Sequence, residues 1–165
     1  MLSEPKIEHL PERPYLVIQK SVHQRDIPNI LPPLIPEVKE WMNHHRIEPA
    51  GVDFFHYKSM NVQGEMGCEV GFTVHALVQG DGRIVGGAFP AGTYASIVYT
   101  GDFKNMMEGH MALESWIKTQ GLKEKTTTSE GLVEWGGRTE FYLIDPDNEP
   151  DPNKWQTEIM FLLQG

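Results

Sequence analysis

The chain holds a single cysteine, Cys68, in 165 residues. An internal disulfide is therefore excluded, and a reducing, cytoplasmic setting is expected. Basic residues are scarce: 14 Lys and Arg stand against 23 Asp and Glu, a net charge of −9 at pH 7. A phosphate backbone needs a cationic surface, so no direct nucleic-acid binding is expected. An anionic membrane is no better a partner. No apolar run approaches the roughly 20 residues that span a bilayer. The amino terminus, MLSEPKIEHLPERP, lacks the apolar stretch of a signal peptide. Hydrolase and metal signatures are also missing. There is no G-x-S-x-G, nothing in the sequence activates Cys68, and His44, His45, His56, His75 and His110 lack ligand spacing. No metal and no cofactor are expected. An acidic surface suits cationic ligands instead.

What is present is a duplicated pattern. One amphipathic helix, beginning between Leu31 and Pro36, carries Val38, Trp41, Met42 and His45. A second, over about 103–120, places Met106, His110, Leu113 and Ile117 on one face at the helical period. Asp102 is its expected N-cap and Gly121 its C′ residue. Aligned on these helices, Trp41 matches Trp116, Ile47 matches Leu122 and Asp26 matches Asp102. Downstream, Tyr57 matches Tyr142 and Glu69 matches Glu158. Ordered matches of this kind indicate a repeat. Each unit reads strand, helix, strand, strand. Strands are expected near 14–23, 50–59, 66–78, 83–89, 92–100, 138–145 and 155–163. The expected fold is α+β: a curved antiparallel sheet with two helices on one face and pseudo-two-fold symmetry. Residues 1–13 read as a flexible arm, and 14–165 as one domain of two repeats, about 14–78 and 92–163.

Glu158 stands out within KWQTEIMFLLQ, the most strand-like run of the chain. Alternation puts Ile159, Phe161 and Leu163 on one face, and Glu158, Met160 and Leu162 on the other. In the first repeat Glu69 opposes Val70 and Phe72 in the same way. If the phenylalanine faces pack under the helices, both glutamates point away from them. A carboxylate among methionine and leucine is a candidate ligand group with a raised pKa. Trp41 and Trp116 at the stripe edges, with Tyr57, Tyr142, Tyr94 and Tyr99, complete the candidate ligand-binding set. Glu158 is expected to share a groove with Trp116 and Tyr142, and Glu69 to lie near it by symmetry.

The segments GGAFPAGTYASIVYTGDFKNMMEGHMALESWI and EFYLIDP, followed by KWQTEIMFLL, resemble the gyrase-inhibitor-like, or AraC-type effector-binding, domain family. The resemblance spans about Tyr15 to Leu163. It implies a stand-alone domain whose groove binds bulky aromatic, often cationic, drug-like compounds, as sensor or sequestering protein. The glutamate of the terminal TEI, Glu158, is implied as the acidic ligand group. Two other functions are open: a hydrolase of cyclopropane-bearing cytotoxins with Glu158 as general base, and a protein-interaction module of gyrase-inhibitor type. The chain departs from the family at Phe103, where tyrosine is frequent, and the prolines near Leu31 should shorten the first helix. No helix-turn-helix segment flanks the body, so direct action on DNA is not expected.

Overall fold

The structure is a computed structural model covering residues 1–165. Its strands are β1 (Lys6–Leu10), β2 (Arg13–His23), β3 (Pro49–Asn61), β4 (Glu65–Val74), β5 (Ile84–Phe89), β6 (Gly92–Thr100), β7 (Thr126–Ser129), β8 (Leu132–Tyr142) and β9 (Gln156–Leu162). Its helices are α1 (Ile27–Ile30), α2 (Leu34–His44) and α3 (Met106–Thr119). All strands join one antiparallel sheet in the order β1-β6-β9-β8-β3-β4-β2-β5, with β7 added alongside β8. The fold is α+β.

The sheet curls. The Arg13 guanidinium on β2 lies 5.1 Å from the Tyr94 ring on β6, although β9, β8, β3 and β4 separate those strands. Curling divides the apolar residues into two cores. The larger lies between sheet and helices and joins Val38 and Met42 of α2 and Leu113 and Ile117 of α3 to Val70, Phe72, Ile159 and Phe161. The smaller fills the inside of the curl with Tyr15, Val17, Phe54, Phe89, Tyr94, Phe141, Met160 and Leu162. Strand alternation alone produces this split.

The helices end where local chemistry ends them. The Asp102 side chain accepts from Lys104 N and opens a 3-10 turn that feeds α3. Gly121, at φ 71°, takes the left-handed position after it. Pro32 and Pro33 precede α2 and Pro36 lies in its first turn, where a missing N–H costs nothing. α2 is accordingly the shorter helix, 11 residues against 14.

The pairing of β3 with β8 contains a two-fold axis. Phe54 faces Phe141, Phe55 faces Glu140 and His56 faces Thr139. When each residue is exchanged for its repeat mate, with Tyr57 equivalent to Tyr142, the pair Phe54–Phe141 becomes Thr139–His56. The pair Phe55–Glu140 returns to itself. The axis therefore passes between Phe55 and Glu140.

Two segments differ from expectation. Residues 1–13 are not a free arm: β1 pairs with β6, Ser3 N donates to Val98 O and the Met1 ammonium to Thr100 O. The backbone of this polar segment supplies the ladder bonds that the edge of β6 would otherwise lack. Residues 126–137 also extend the sheet, through a hairpin whose turn, Glu130 and Gly131, has positive φ at both positions.

A very close backbone approach lies at Gly71, opposite Val17 of β2 and Phe54 of β3. A Cβ there would sit 1.9 Å from Leu16 O, a backbone atom that cannot move aside. Gly71→Ala is expected to lower unfolding stability by about 1–3 kcal/mol, the scale of overpacking. Urea unfolding at constant m-value measures it, and an unchanged midpoint would show that the β2–β4 contact yields freely.

Candidate functional site

Glu140 enters the space between sheet and helices at the axis, where its repeat mate is the apolar Phe55. It is buried and accepts three hydrogen bonds. Tyr57 Oη donates to Oε1 over 2.9 Å and Tyr142 Oη over 2.6 Å, while His110 Nε2 donates to Oε2 over 2.6 Å. Tyr142 lies two residues along the same strand, on the same face. Tyr57, on β3, is its repeat mate. His110 comes from α3 and reaches Glu140 because that helix sits very low: a Cβ on the preceding Gly109 would meet Ile159 Cδ1 at 2.5 Å.

Burial alone would raise the Glu140 carboxyl. The His110 bond and charge, then the Tyr142 and Tyr57 hydroxyls, outweigh it and hold the group below its ordinary value. Burial beside this carboxylate drives Tyr57 and Tyr142 far above the usual phenol range. The site is thus an ionised carboxylate held by neutral phenols. Aromatic rings lead away from it. Phe55 packs edge-on to Tyr142 at 5.0 Å, Phe103 tilts against Tyr142 at 5.5 Å, and Trp155 lies 4.6 Å beyond Phe103. Asp53, two residues before Phe55 on β3, is pushed up to about 6 by burial and by the charge of Asp145.

The expected site residues divide between faces. Tyr57 and Tyr142 converge on Glu140, which the sequence reading did not single out. Trp116 packs at the edge of the helix-side core, partly buried. Glu158 does not join Trp116 and Tyr142. It neighbours Met160 and Phe141 in a cleft on the opposite sheet face, because residues 158 and 159 alternate and Ile159 is the one under the helices. Burial, then the charge of Glu8, raises its pKa. Glu69 is also on that face, but β8 and β3 lie between its strand and that of Glu158. It accepts from Tyr15 at 2.7 Å, Gln19 at 2.9 Å and His56 Nδ1 at 2.9 Å. Burial would raise it, yet the bonds from His56, Gln19 and Tyr15 together bring it to about 2. Burial keeps His56 neutral. The two glutamates are not a proton-sharing pair. Trp41 stacks on His45 at 3.8 Å and donates to Asp81 at the outer edge of α2. Tyr94 and Tyr99 are buried with their hydroxyls donating to Pro90 O and Asp102 O, so both are structural in this arrangement.

A two-fold strand-helix-strand-strand sheet with a buried carboxylate and aromatic walls at its axis defines a small-molecule binding domain. The family model of the GyrI-like small molecule binding domain matches residues 3–164, and the chain belongs to that family. No curated protein matches the chain closely. Among solved structures, the fold is similar to the EcmrR C-terminal domain, at 16% identity over 98% of this chain and 97% of that one, TM-score 0.68. In the EcmrR–DNA complex the chain spans 57% of the EcmrR chain, at 17% identity and TM-score 0.69. It is also similar to SAV2435 bound to tetraphenylphosphonium, at 12% identity over 99% and 95% of the two chains, TM-score 0.61. A hydrolase from Listeria innocua matches at 13% identity over 98% and 92%, TM-score 0.61. At these identities the likeness is one of fold.

The carboxyl shifts have opposite consequences for stability. Glu69 is depressed, so its contribution is fully present above its unfolded value near pH 4.3 and is lost as pH falls towards about 2. Asp53 is raised, so its contribution is present below about pH 4 and is lost as pH rises through about 6. Melting temperatures across this range should show Glu69→Gln flattening the acid limb. Asp53→Asn should stabilise above pH 6 and change little below pH 4. Parallel curves for Asp53→Asn and the unmodified chain would refute the assignment for Asp53.

Proposed function

We propose that a bulky aromatic cation binds between the sheet and the helices, with Glu140 as the counter-charge and Tyr142, Phe103 and Trp155 as stacking walls. The observation that carries this is the ionised Glu140, kept charged in an apolar core by three donors. A buried charge is costly unless paired, and no lysine or arginine pairs with Glu140, which leaves room for a cation. Aromatic faces stacked from Phe55 to Trp155 add cation–π attraction. The structure of a protein of this fold with tetraphenylphosphonium supports that class of ligand. Residues 14–165 act in this reading as one binding domain, as a sensor or a sequestering protein inside the cell.

At Glu140, binding is favoured over general-base hydrolysis by the direction of the carboxyl's shift. A general base works best with its pKa near the operating pH. A carboxyl held below its ordinary value is a poor base but a permanent anion.

Titration calorimetry with tetraphenylphosphonium tests the site. Glu140→Gln retains the acceptor oxygen for Tyr57 and Tyr142 and removes the charge. It should weaken the cation by about 10- to 100-fold, the scale of a lost charge-assisted interaction. Neutral triphenylphosphine oxide should lose little, and Glu158→Gln should leave the cation's affinity unchanged. Equal affinities of the unmodified chain and Glu140→Gln for the cation would remove Glu140 from the site.

A further inference from the structure

The other face of the sheet carries a second arrangement that the Glu140 site does not use. At the mouth of the curl a cleft of about 360 Å³ is lined by Glu8, Leu10, Arg13, Phe141, Glu158 and Met160, among others. That volume falls within the range of small-molecule pockets, and barrel mouths are a common place for them.

Arg13 is the unusual residue. Its guanidinium lies over three rings, Phe89 at 4.9 Å, Tyr94 at 5.1 Å and Phe141 at 5.7 Å. Its Nε and Nη2 atoms are buried and have no acceptor. Buried donors, charged ones above all, are normally paired, and an unpaired one needs an explanation. The ring faces offset part of the charge but accept no in-plane hydrogen bond. No internal carboxylate fills the role. Glu69, the deep one on this face, is already taken by Tyr15, Gln19 and His56. Glu8, Glu12 and Glu158 line the same cleft, yet none forms an ion pair with Arg13; Glu8 pairs with Lys6 at 2.9 Å. His56 adds an unpaired buried acceptor deeper down, since its Nδ1–H is spent on Glu69. It is 3% exposed, its Nε2 has no partner, and its ring packs 5.0 Å from Phe89, the ring that also carries Arg13.

A simple anion would meet the glutamates at the rim, and a simple cation would meet Arg13. A molecule with both charges meets neither conflict. We propose that this cleft binds a small zwitterion of amino-acid or dipeptide size: its carboxylate takes the unpaired N–H groups of Arg13, its ammonium faces Glu158 and Glu8, and its apolar body rests on Phe141, Met160 and Leu10. A planar guanidinium fork suits a carboxylate. Burial, then the charge of Glu8, raises the Glu158 carboxyl, and a ligand ammonium offsets both.

The test uses the full chain and the probes L-leucine and L-leucyl-L-leucine, each beside its N-acetyl form, which lacks the ammonium, and its amide, which lacks the carboxylate. Binding is followed by amide chemical-shift perturbation. At least one zwitterion should bind with shifts centred on β1, β2 and β9, and both single-charge forms should bind about tenfold or more weakly. Arg13→Met retains the apolar stem and should abolish the preference for a free carboxylate. Arg13→Lys, which keeps the charge without the fork, should retain part of it and covers the case of an unfolded methionine variant. Glu158→Gln should weaken the zwitterion and the amide while sparing the N-acetyl form. Glu140→Gln should change nothing here, which separates this site from the one proposed at Glu140. The proposal is overturned if neither zwitterion binds, if the three forms bind equally, or if the preference for a free carboxylate survives in Arg13→Met or persists at full strength in Arg13→Lys.

Discussion

The ionised Glu140 at the two-fold axis constrains much of the helix-side architecture. A carboxylate in an apolar core must be satisfied on both oxygens, and the donors come from three separate elements: β3, β8 and α3. Tyr57 can donate only if β3 and β8 pair in the register that sets Phe55 opposite Glu140. His110 can donate only if α3 sits low on the sheet, and Gly109 permits that by presenting no Cβ to Ile159. Strand register, helix height and ring placement are thus tied to one charge. A half-satisfied network would cost more than an apolar core, so the set is retained or lost together.

Much of the architecture was legible because it depends on period. The apolar stripes of α2 and α3 and the alternation of β4 and β9 placed Val70, Phe72, Ile159 and Phe161 beneath the helices and turned Glu69 and Glu158 away from them. β1 and β7 were not legible. KIEHL has too little apolar alternation, and TTTS is exposed throughout, so backbone pairing rather than burial makes them strands. Glu140 was not legible because TEFY reads as an ordinary strand with one charged position. Its signal lay in the repeat: it shares a face with Tyr142, and its mate Phe55 is a core residue. A carboxylate at a position the duplication marks as apolar is the anomaly that points to the site. The apolar neighbours that mark Glu158 in the sequence, Met160 and Leu162, belong to a different core.

The two faces of β8 explain how one strand serves both. Glu140 and Tyr142 project towards the helices, while Phe141 between them projects into the curl against Phe54 and Phe89 and beneath Arg13. Only one strand thickness separates the sites, yet their chemistry is independent. The helix-side charge is hydrogen-bonded on both oxygens, whereas Nε and Nη2 of the guanidinium on the far side have no acceptor.

Divergence of the repeats is what makes a single charge at the axis workable. Had the duplication preserved glutamate at both positions of the Phe55–Glu140 pair, two carboxylates would face each other across neighbouring strands. Residues directly opposite in such a pair lie about 5 Å apart, close enough that one would stay protonated. The site would then titrate as a pair and present a charge that changed with pH. With phenylalanine on one side, the lone carboxylate collects every nearby donor and remains ionised, and the vacated position becomes an aromatic wall. The same divergence recurs on the far face, where Glu69 is bound by His56, while its mate Glu158 faces Phe141, the mate of His56, and is left without a donor. Pseudo-symmetry set β3 against β8 at the seam, and the breaking of that symmetry at Phe55 and Phe141 left a lone carboxylate among donors on one face and an undonated one beside a phenylalanine on the other.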